Sequence, residues 1–548
     1  MNKNAAELFV ECLENEGISY IFGIPGEESL ALLEAIRKSG IRFVVTRHEQ
    51  AAAFMAATTG RLTGQAGVVL STLGPGATNL VTGVAFAQLG GMPLVVVTGQ
   101  KPLRRSKHGQ FQIINVVQMM QPITKSTRQV LGPELIPSFV REAFRKAEEE
   151  RPGAVHLEFP EDVASEPTGL APLERTRSRR PSPDHKAVDF AVALIESARS
   201  PLVLVAAGAN RKRVRRQLQE FILKTKIPFF TTQMGKGVID ERSPCYIGTA
   251  AISESDFLHK AIDRSDLIIS VGHDVTEKPP AVMGYGRRKV IHVHFYSAPI
   301  DDIYFPTHEV IGDIAHSLQA ITAQVRPSKE WDFEYFMRIS TELHEHILEK
   351  ADSPAFPVKP QRLVKDLRAV VPEDGILTLD NGMYKLWIAR NYPAYEQNTV
   401  LLDNALASMG AGFSAAVAAK LVLPDRKVLC VCGDGGFMMN SQELETAVRL
   451  GVDLTAVIVN DGGYGMIKWK QDSMKLPSFG LDFKNPDFVK YAESYGARGF
   501  RIKSAEELKT TVAQCLDSVG VNIIDCPIDY SENVLVLTEE LSERTARL

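Results

Sequence analysis

Short apolar runs recur along the whole chain, and each ends in glycine, proline or a polar residue. In the first part these runs include ISYIFGIPG, AGVVLSTLGPG and MPLVVVTGQ, with helix-like stretches between them. Runs of this length that are rich in β-branched residues are typical of strands buried on both faces. The alternation of strand and helix therefore predicts an α/β fold built on parallel sheets.

The same alternation is repeated in three blocks, residues 1–165, 186–325 and 361–548. Polar, proline-containing stretches at 164–185 and 353–360 separate them. Because 548 residues exceed what one compact core holds, we expect three tandem doubly wound parallel-sheet domains. In such sheets, ligands bind beyond the carboxyl ends of the strands.

Composition narrows the functional classes. A net charge of −4 with 23% charged residues gives no reason to expect a nucleic acid partner or an anionic membrane surface. The stretch ALASMGAGFSAAVAAKLVL (405–423) approaches membrane-spanning length, but its small residues and Lys420 favour a buried helix. The N-terminus lacks the order of a signal peptide, and six scattered cysteines indicate buried reduced thiols, so we expect a cytoplasmic protein.

Two acidic glycine turns follow strand-like runs in the third block. Asp434 follows KVLCVCG, and Asp461 follows LTAVIVN. Two carboxylates at neighbouring strand ends repel each other unless a cation lies between them, and Mg²⁺ prefers oxygen ligands that it shares with phosphate. The helix predicted after the first turn offers free N–H groups to a phosphate. Two ordinary glycine–aspartate turns are the alternative.

The pair does not stand alone, because the chain resembles the thiamine diphosphate (ThDP) enzymes. Gly433-Asp434-Gly435, followed by Asn460-Asp461, matches their diphosphate motif, although Asn is usual at position 461. The resemblance implies pyrimidine-binding (PYR), middle and diphosphate-binding (PP) domains. It also implies a Mg²⁺ ion held by the side chains of Asp434 and Asp461 and by the backbone carbonyl of Gly463.

The resemblance extends to the far end of the cofactor. The segment RHEQAAAFMA places Glu49 where these enzymes have a carboxyl group that shares a proton with the aminopyrimidine. Without that resemblance, Glu49 reads as a charge favoured at a helix N-terminus. Met409 matches the residue that bends the cofactor, and the carbonyl of Ala407 would accept from its amino group. Further cofactor-binding candidates are Gly382, Met383, Tyr384, Gly433, Gly435, Gly436, Tyr464, Gly465 and Met466.

Within the ThDP enzymes the chain most resembles acetolactate synthases, through IFGIPG, RHEQAAAFMA and STLGPGATNLVTG. This implies condensation of two pyruvate molecules to 2-acetolactate, with release of CO₂ through a hydroxyethyl-ThDP carbanion. Gly26, Phe111 and Gln112 are the candidates around the substrate. Lys468 or Lys470 could attract the substrate carboxylate, although a solvated lysine is the commoner case. The family also implies a homodimer or homotetramer with active sites at the dimer interface.

The type of acetolactate synthase is less settled. VGHDVTEKPP (271–280), IHVHFYSAPIDDIYFPTHEVIGDI (291–314), LDFKNPDFVKYAESYGA (481–497) and Asp461 favour the catabolic, FAD-independent type. TGQ and Phe111 instead resemble the biosynthetic catalytic subunit, so FAD is possible but not favoured.

A related ThDP carboligase or decarboxylase with another 2-oxo acid is a further alternative. The single His108 in SKHGQ argues against a simple decarboxylase. A non-catalytic, cofactor-binding paralogue is a reading from another class. The second substrate and any regulatory subunit stay open.

Overall fold

The computed structural model describes residues 3–104, 111–176, 180–253, 255–274, 276–277, 288–299 and 304–548. The strands of the first third are β1 (Lys3–Asn4), β2 (Tyr20–Gly23), β3 (Arg42–Val45), β4 (Gly67–Ser71), β5 (Leu94–Gln100), β6 (Ser126–Gln129), β7 (Ala154–Pro160) and β8 (Pro167–Thr168). Its helices are α1 (Ala5–Asn15), α2 (Leu30–Lys38), α3 (Glu49–Thr63), α4 (Gly74–Leu89), α5 (Val116–Met120), α6 (Ile136–Glu148) and α7 (Glu161–Ala164).

The strands of the middle third are β9 (Pro201–Val205), β10 (Phe229–Thr232), β11 (Tyr246–Ala250), β12 (Leu267–Val271), β13 (Lys289–His294) and β14 (His308–Ile311). Its helices are α8 (His185–Ser197), α9 (Lys212–Thr225), α10 (Phe257–Arg264), α11 (Ile314–Gln324) and α12 (Glu334–Leu348).

The strands of the last third are β15 (Ile376–Leu379), β16 (Val400–Leu401), β17 (Val428–Gly433), β18 (Leu454–Asn460), β19 (Arg498–Arg501) and β20 (Val521–Pro527). Its helices are α13 (Pro360–Val370), α14 (Met383–Asn391), α15 (Ala411–Val422), α16 (Asp434–Met439), α17 (Glu443–Leu450), α18 (Gly465–Ser473), α19 (Phe488–Ser494), α20 (Ala505–Asp517) and α21 (Glu540–Arg547).

Each third contributes one six-stranded sheet, and neighbouring strands in all three are parallel. The strand orders are β3-β2-β4-β5-β7-β6, β11-β10-β9-β12-β13-β14 and β16-β15-β17-β18-β20-β19. Every residue of β5, β7 and β9 is buried, as expected for strands covered on both faces. The predicted α/β fold with three parallel sheets is confirmed.

The chain forms two compact units that do not follow its order. The first contains Met1–Arg179, Leu406–Asp425 and Met438–Val452, and the second contains Arg180–Ala405, Arg426–Phe437 and Asp453–Leu548. The first sheet therefore shares its unit with α15 and α17. The second unit holds the other two sheets.

The small residues of the first unit let its helices approach closely. Helix α3 packs against α4 and α15, and α15 is buried as the sequence predicted. A Cβ added at Gly83 of α4 would lie 2.4 Å from the Cβ of Ala53 in α3 and 3.1 Å from the carbonyl oxygen of Gln50. The glycine is therefore a packing requirement. Across the described residues, no helix combines the length and the apolar character needed to cross a bilayer.

We predict that Gly83→Ala destabilises the protein, although alanine is the better helix former by about 1 kcal/mol. The added methyl group would force α3 and α4 apart, and overpacking of this kind costs about 1–3 kcal/mol. The measurement is the midpoint of thermal unfolding. Gly169→Ala is the matched control, because a Cβ there meets no atom within 4 Å. A Gly83→Ala protein that unfolds at or above the parent temperature would contradict the prediction.

Candidate functional site

In the first unit, Glu49 is the first residue of α3, directly after the turn that leaves β3. Its side chain is buried, with Oε2 accepting a hydrogen bond of 2.9 Å from Nδ2 of Asn79. Oε1 lies against Gly76, where an added Cβ would be 3.2 Å away. A run of buried alanines follows Glu49 in α3. The carboxyl group predicted to share a proton thus lies in an apolar, water-poor setting.

A buried ion pair lies near Gly26 in the same unit. A Cβ added at Gly26 would be 2.4 Å from the Cβ of Thr72, and Thr72 donates a hydrogen bond to Glu28. Glu28 Oε1 also accepts from Lys101 Nζ at 2.5 Å. Burial opposes the charge on Glu28, but the hydrogen bonds from Lys101 and Thr72 outweigh it and lower its pKa. Gly26 therefore borders a polar network that the sequence analysis did not identify.

The other first-unit candidates are more open. Phe111 and Gln112 are exposed, and Gln112 adopts a left-handed φ of 58°. Ala407 is also exposed, whereas Met409 is partly buried. Both precede Gly410, whose carbonyl accepts a hydrogen bond of 2.9 Å from Nδ2 of Asn440. His108 lies outside the described residues.

In the second unit, Asp434 is the first residue of α16 and is 1% exposed. Its Oδ2 accepts 2.8 Å from the backbone N–H of Gly462 and 2.7 Å from Nδ2 of Asn485. Its Oδ1 accepts 2.8 Å from the N–H of Gly435. Burial raises the pKa of Asp434, and these donors oppose that shift. The Gly-Asp-Gly turn and the Asn-Asp-Gly-Gly turn are therefore joined at the strand ends, as predicted.

Asp461 faces a cavity of about 270 Å³ that it lines together with Gly463, Tyr464 and Lys468. Asp461 is exposed to this cavity, but its carboxylate points toward the protein. A Cβ added at Gly465 would lie 2.5 Å from Oδ2 of Asp461 and 3.4 Å from the ring of Tyr530. Burial, and then the charge of Asp434, raise the pKa of Asp461 to about 7.

The remaining residues of this turn continue along the cavity wall. Gly463 forms a single antiparallel bridge with Asp482, and the Tyr464 ring lies 5.0 Å from the Phe483 ring. Gly465 begins α18, and Met466 in that helix is partly buried.

Three glycines shape the space around Tyr384 and Asp380. A Cβ at Gly382 would lie 2.5 Å from Cε1 of Tyr384, and one at Gly433 would lie 3.2 Å from the same atom. A Cβ at Gly436 would lie 2.4 Å from Oδ2 of Asp380. Side chains at these positions would collide with Tyr384 or Asp380, so the glycines allow this close packing beside the N-terminus of α14. Met383 and Tyr384 are buried, so their side chains belong to the core of this unit.

Sequence reasoning missed Asn79, Asn485 and the pair of Glu28 and Lys101. Asn79 lies within STLGPGATNLVTG and Asn485 within LDFKNPDF, two segments that were used only as family markers. Nothing in a linear pattern shows which carboxylate an asparagine contacts. The predicted residues fall into two groups, with Glu49, Ala407 and Met409 in the first unit and Asp434, Asp461 and Tyr384 in the second.

Comparison with known proteins identifies the domain families of the chain. Three domain families match the chain: the thiamine pyrophosphate enzyme N-terminal TPP binding domain over residues 3–119, the central domain over 188–321, and the C-terminal TPP binding domain over 380–526.

Whole-chain relatives agree with these matches. The chain is 33% identical to the acetolactate synthase of Bacillus subtilis, covering 100% of this chain and 97% of that protein. It is 32% identical to the catabolic acetolactate synthase of Raoultella terrigena, covering 97% and 96%. It is 29% identical to the large subunit of acetolactate synthase isozyme 2 of Escherichia coli, covering 97% and 96%. The chain therefore belongs to the thiamine pyrophosphate enzyme family, in the group that includes the acetolactate synthases.

Proposed function

We propose that this protein is an acetolactate synthase, which joins two pyruvate molecules into 2-acetolactate and releases CO₂. Similarity to acetolactate synthases over the whole chain is the observation that carries this proposal. The buried carboxyl group of Glu49 and the paired acids Asp434 and Asp461 supply the chemistry that such an enzyme needs.

The residues present fit thiamine diphosphate and Mg²⁺. The glycines at 382, 433 and 436 let Tyr384 and Asp380 pack closely, and Gly382 directly precedes the N-terminus of α14, whose free N–H groups favour an anion. Asp434 and Asp461, with the carbonyl of Gly463, offer the oxygen donors that Mg²⁺ prefers. A cation at this place would lower the pKa of Asp461, which burial and then the charge of Asp434 raise.

Bound thiamine diphosphate would supply an electron sink at which a 2-oxo acid loses CO₂ and its carbonyl carbon becomes nucleophilic. The protein's own part begins with Glu49, whose carboxyl group can hold and return a proton in a site with little water. Asn79 fixes one oxygen of that carboxyl group. Gly26, Phe111 and Gln112 stay as candidates around the substrate.

We further propose that the protein works without FAD. In the middle sheet the strand order reverses between β9 and β12, and ligands of such sheets bind in the crevice at that point. There Glu277 Oε1 accepts from the N–H of Ala207 at 3.1 Å and from Thr232 Oγ1 at 3.2 Å. A Cβ added at Gly208 would lie 3.1 Å from Nε2 of the buried His294. A buried carboxylate and a buried imidazole at this crevice support the proposal.

A homodimer or homotetramer, with active sites at the dimer interface, is the assembly that we propose by analogy with the family. The proposed substrate is a small 2-oxo acid. Lys468 lines the cavity next to Asp461 and is a candidate for attracting the carboxylate of the substrate.

The Mg²⁺ proposal predicts a graded series of variants. Adding Mg²⁺ and thiamine diphosphate should raise the thermal unfolding midpoint of the parent protein, because ligands that bind only the folded state stabilise it. Asp434→Ala and Asp461→Ala should lose this shift, whereas Asp461→Asn should keep most of it because the amide still offers an oxygen. Asp517→Asn, at an exposed surface position, is the control. An undiminished shift in Asp434→Ala would refute the assignment.

The Glu49 proposal predicts that Glu49→Gln lowers kcat for acetolactate formation from pyruvate by about 10²–10⁴-fold, because the amide cannot exchange a proton. Binding of thiamine diphosphate, followed by calorimetry, should change by far less. Glu34→Gln, which alters an exposed pair with Arg37, serves as the control. If Glu49→Gln retains the parent kcat, Glu49 is not the proton-sharing group.

The flavin proposal predicts that the purified protein has no visible flavin absorbance and that added FAD does not change the rate with pyruvate. The physical reason is that the side chains of Glu277 and His294 lie at the crevice between β9 and β12. A stoichiometric flavin released on denaturation would contradict it. The same assay with 2-ketobutyrate as a second substrate would then determine acceptor preference.

A further inference from the structure

A second buried glutamate lies close to the turn between β3 and α3, which leads into Glu49. Glu443, the first residue of α17, is 0% exposed. Its Oε1 accepts 3.0 Å and its Oε2 accepts 3.3 Å from the backbone N–H of Arg47. Oε2 also accepts 2.6 Å from Oγ1 of Thr446. Among the described residues, no lysine, arginine or histidine forms an ion pair with this carboxylate.

Burying a carboxyl group without a neighbouring cation costs free energy, and its hydrogen-bond partners must offset that cost. Burial raises the pKa of Glu443 to about 7, against the effect of its hydrogen bonds. Thr446 lies in the same helix, one turn further on. Arg47 instead belongs to the turn between β3 and α3, almost four hundred residues earlier in the chain. Glu443 therefore fastens α17 to this turn.

Helix α17 holds the turn at a second point. Arg449 Nη2 donates 2.5 Å to the carbonyl oxygen of Val45, the last residue of β3. Arg449 is itself held by Glu445, through its Nε at 2.9 Å. One helix thus binds the carbonyl at 45 and the N–H at 47, two backbone groups of the same turn. Holding these two backbone groups fixes the direction in which the chain leaves β3.

The turn leads directly into Glu49. Within it, the N–H of Thr46 donates 3.0 Å to the carbonyl of Gly23, and Thr46 Oγ1 donates 3.1 Å to the carbonyl of His48. His48 Nδ1 accepts 3.0 Å from the N–H of Gln50 and caps α3. Several groups between 45 and 50 are therefore hydrogen-bonded, and the hydrogen bond at the N–H of Arg47 comes from Glu443.

We propose that Glu443 is a positioning residue for the reaction: it fixes the Arg47–His48 backbone and, through it, the carboxyl group of Glu49. The assignment rests on the proposed function only where activity is measured. Its geometric part concerns the protein without cofactor. A displacement of about 1 Å at a catalytic group can cost on the order of 10²-fold in rate. Glu443 binds the backbone of Arg47, two residues before Glu49, so its loss should change the rate.

The test compares Glu443→Ala, Glu443→Gln and the control Glu34→Gln in the full-length protein. Glu443→Ala should lower kcat by roughly 10- to 100-fold while KM for pyruvate stays within about threefold of the parent value. Glu443→Gln keeps the shape and one carbonyl acceptor, so it should recover part of the lost kcat. The control should match the parent in both constants.

Amide hydrogen exchange of the cofactor-free protein gives a readout that a general loss of stability does not move. In Glu443→Ala the amides of residues 46–49 should exchange faster than in the parent, while those of β5 keep their protection. If both Glu443 variants retain the parent kcat and the parent exchange at 46–49, the proposal is wrong.

It is also wrong if activity falls only in proportion to the unfolded fraction, with unchanged exchange in the turn. Should Glu443→Ala fail to fold, the kcat and exchange of Glu443→Gln decide. If the parent makes no acetolactate, the proposed function fails, and exchange at 46–49 alone tests the anchor.

Discussion

Taking a carboxylate out of water is the constraint on which the functional parts of this protein depend. Each buried acid at a strand end needs a cation, an N–H donor or a proton to offset its lost hydration. Glu28 is paired with Lys101, and Asp434 is held by two backbone N–H groups and an asparagine. The pKa of Asp461 stays raised because burial and the charge of Asp434 outweigh a backbone hydrogen bond and the charge of Lys468. Under the proposed function, a cation between the two acids would offset the remaining cost.

The same principle separates the roles of similar residues. Glu49 and Glu443 are both first residues of helices and both buried, so their local sequences look alike. Both oxygens of Glu443 accept from the backbone N–H of Arg47, and one also accepts from a threonine hydroxyl. The described hydrogen bonds give Glu49 a single asparagine donor on one oxygen, and a glycine lies beside the other. Donors on both oxygens suit an anchor, and an oxygen beside a glycine suits proton exchange with a ligand.

Much of this could be predicted from the order of apolar runs and turns. The parallel sheets follow from strands that are apolar on both faces, and Asp434 and Asp461 follow strands β17 and β18, which are neighbours in the sheet. The role of Glu49 was predicted from a family motif and not from periodicity, because a glutamate at a helix N-terminus is common. Asn79, Asn485 and Lys101 could not be predicted, because their partners are distant in sequence and only tertiary packing joins them. The same reason applies to Glu443 and Arg47.

The discontinuous first unit has a consequence for how the protein is made. Its sheet is formed by residues 20–160, but α15 and α17, which belong to the same unit, follow more than 240 residues later in the chain. A growing chain that has just left the ribosome can pair the early strands, yet the alanine-rich face of α3 that packs on α15 has no cover until translation has passed residue 422. A fragment ending at the first linker would carry the same bare surface permanently. The compact unit therefore includes segments that lie far beyond the N-terminal third of the chain.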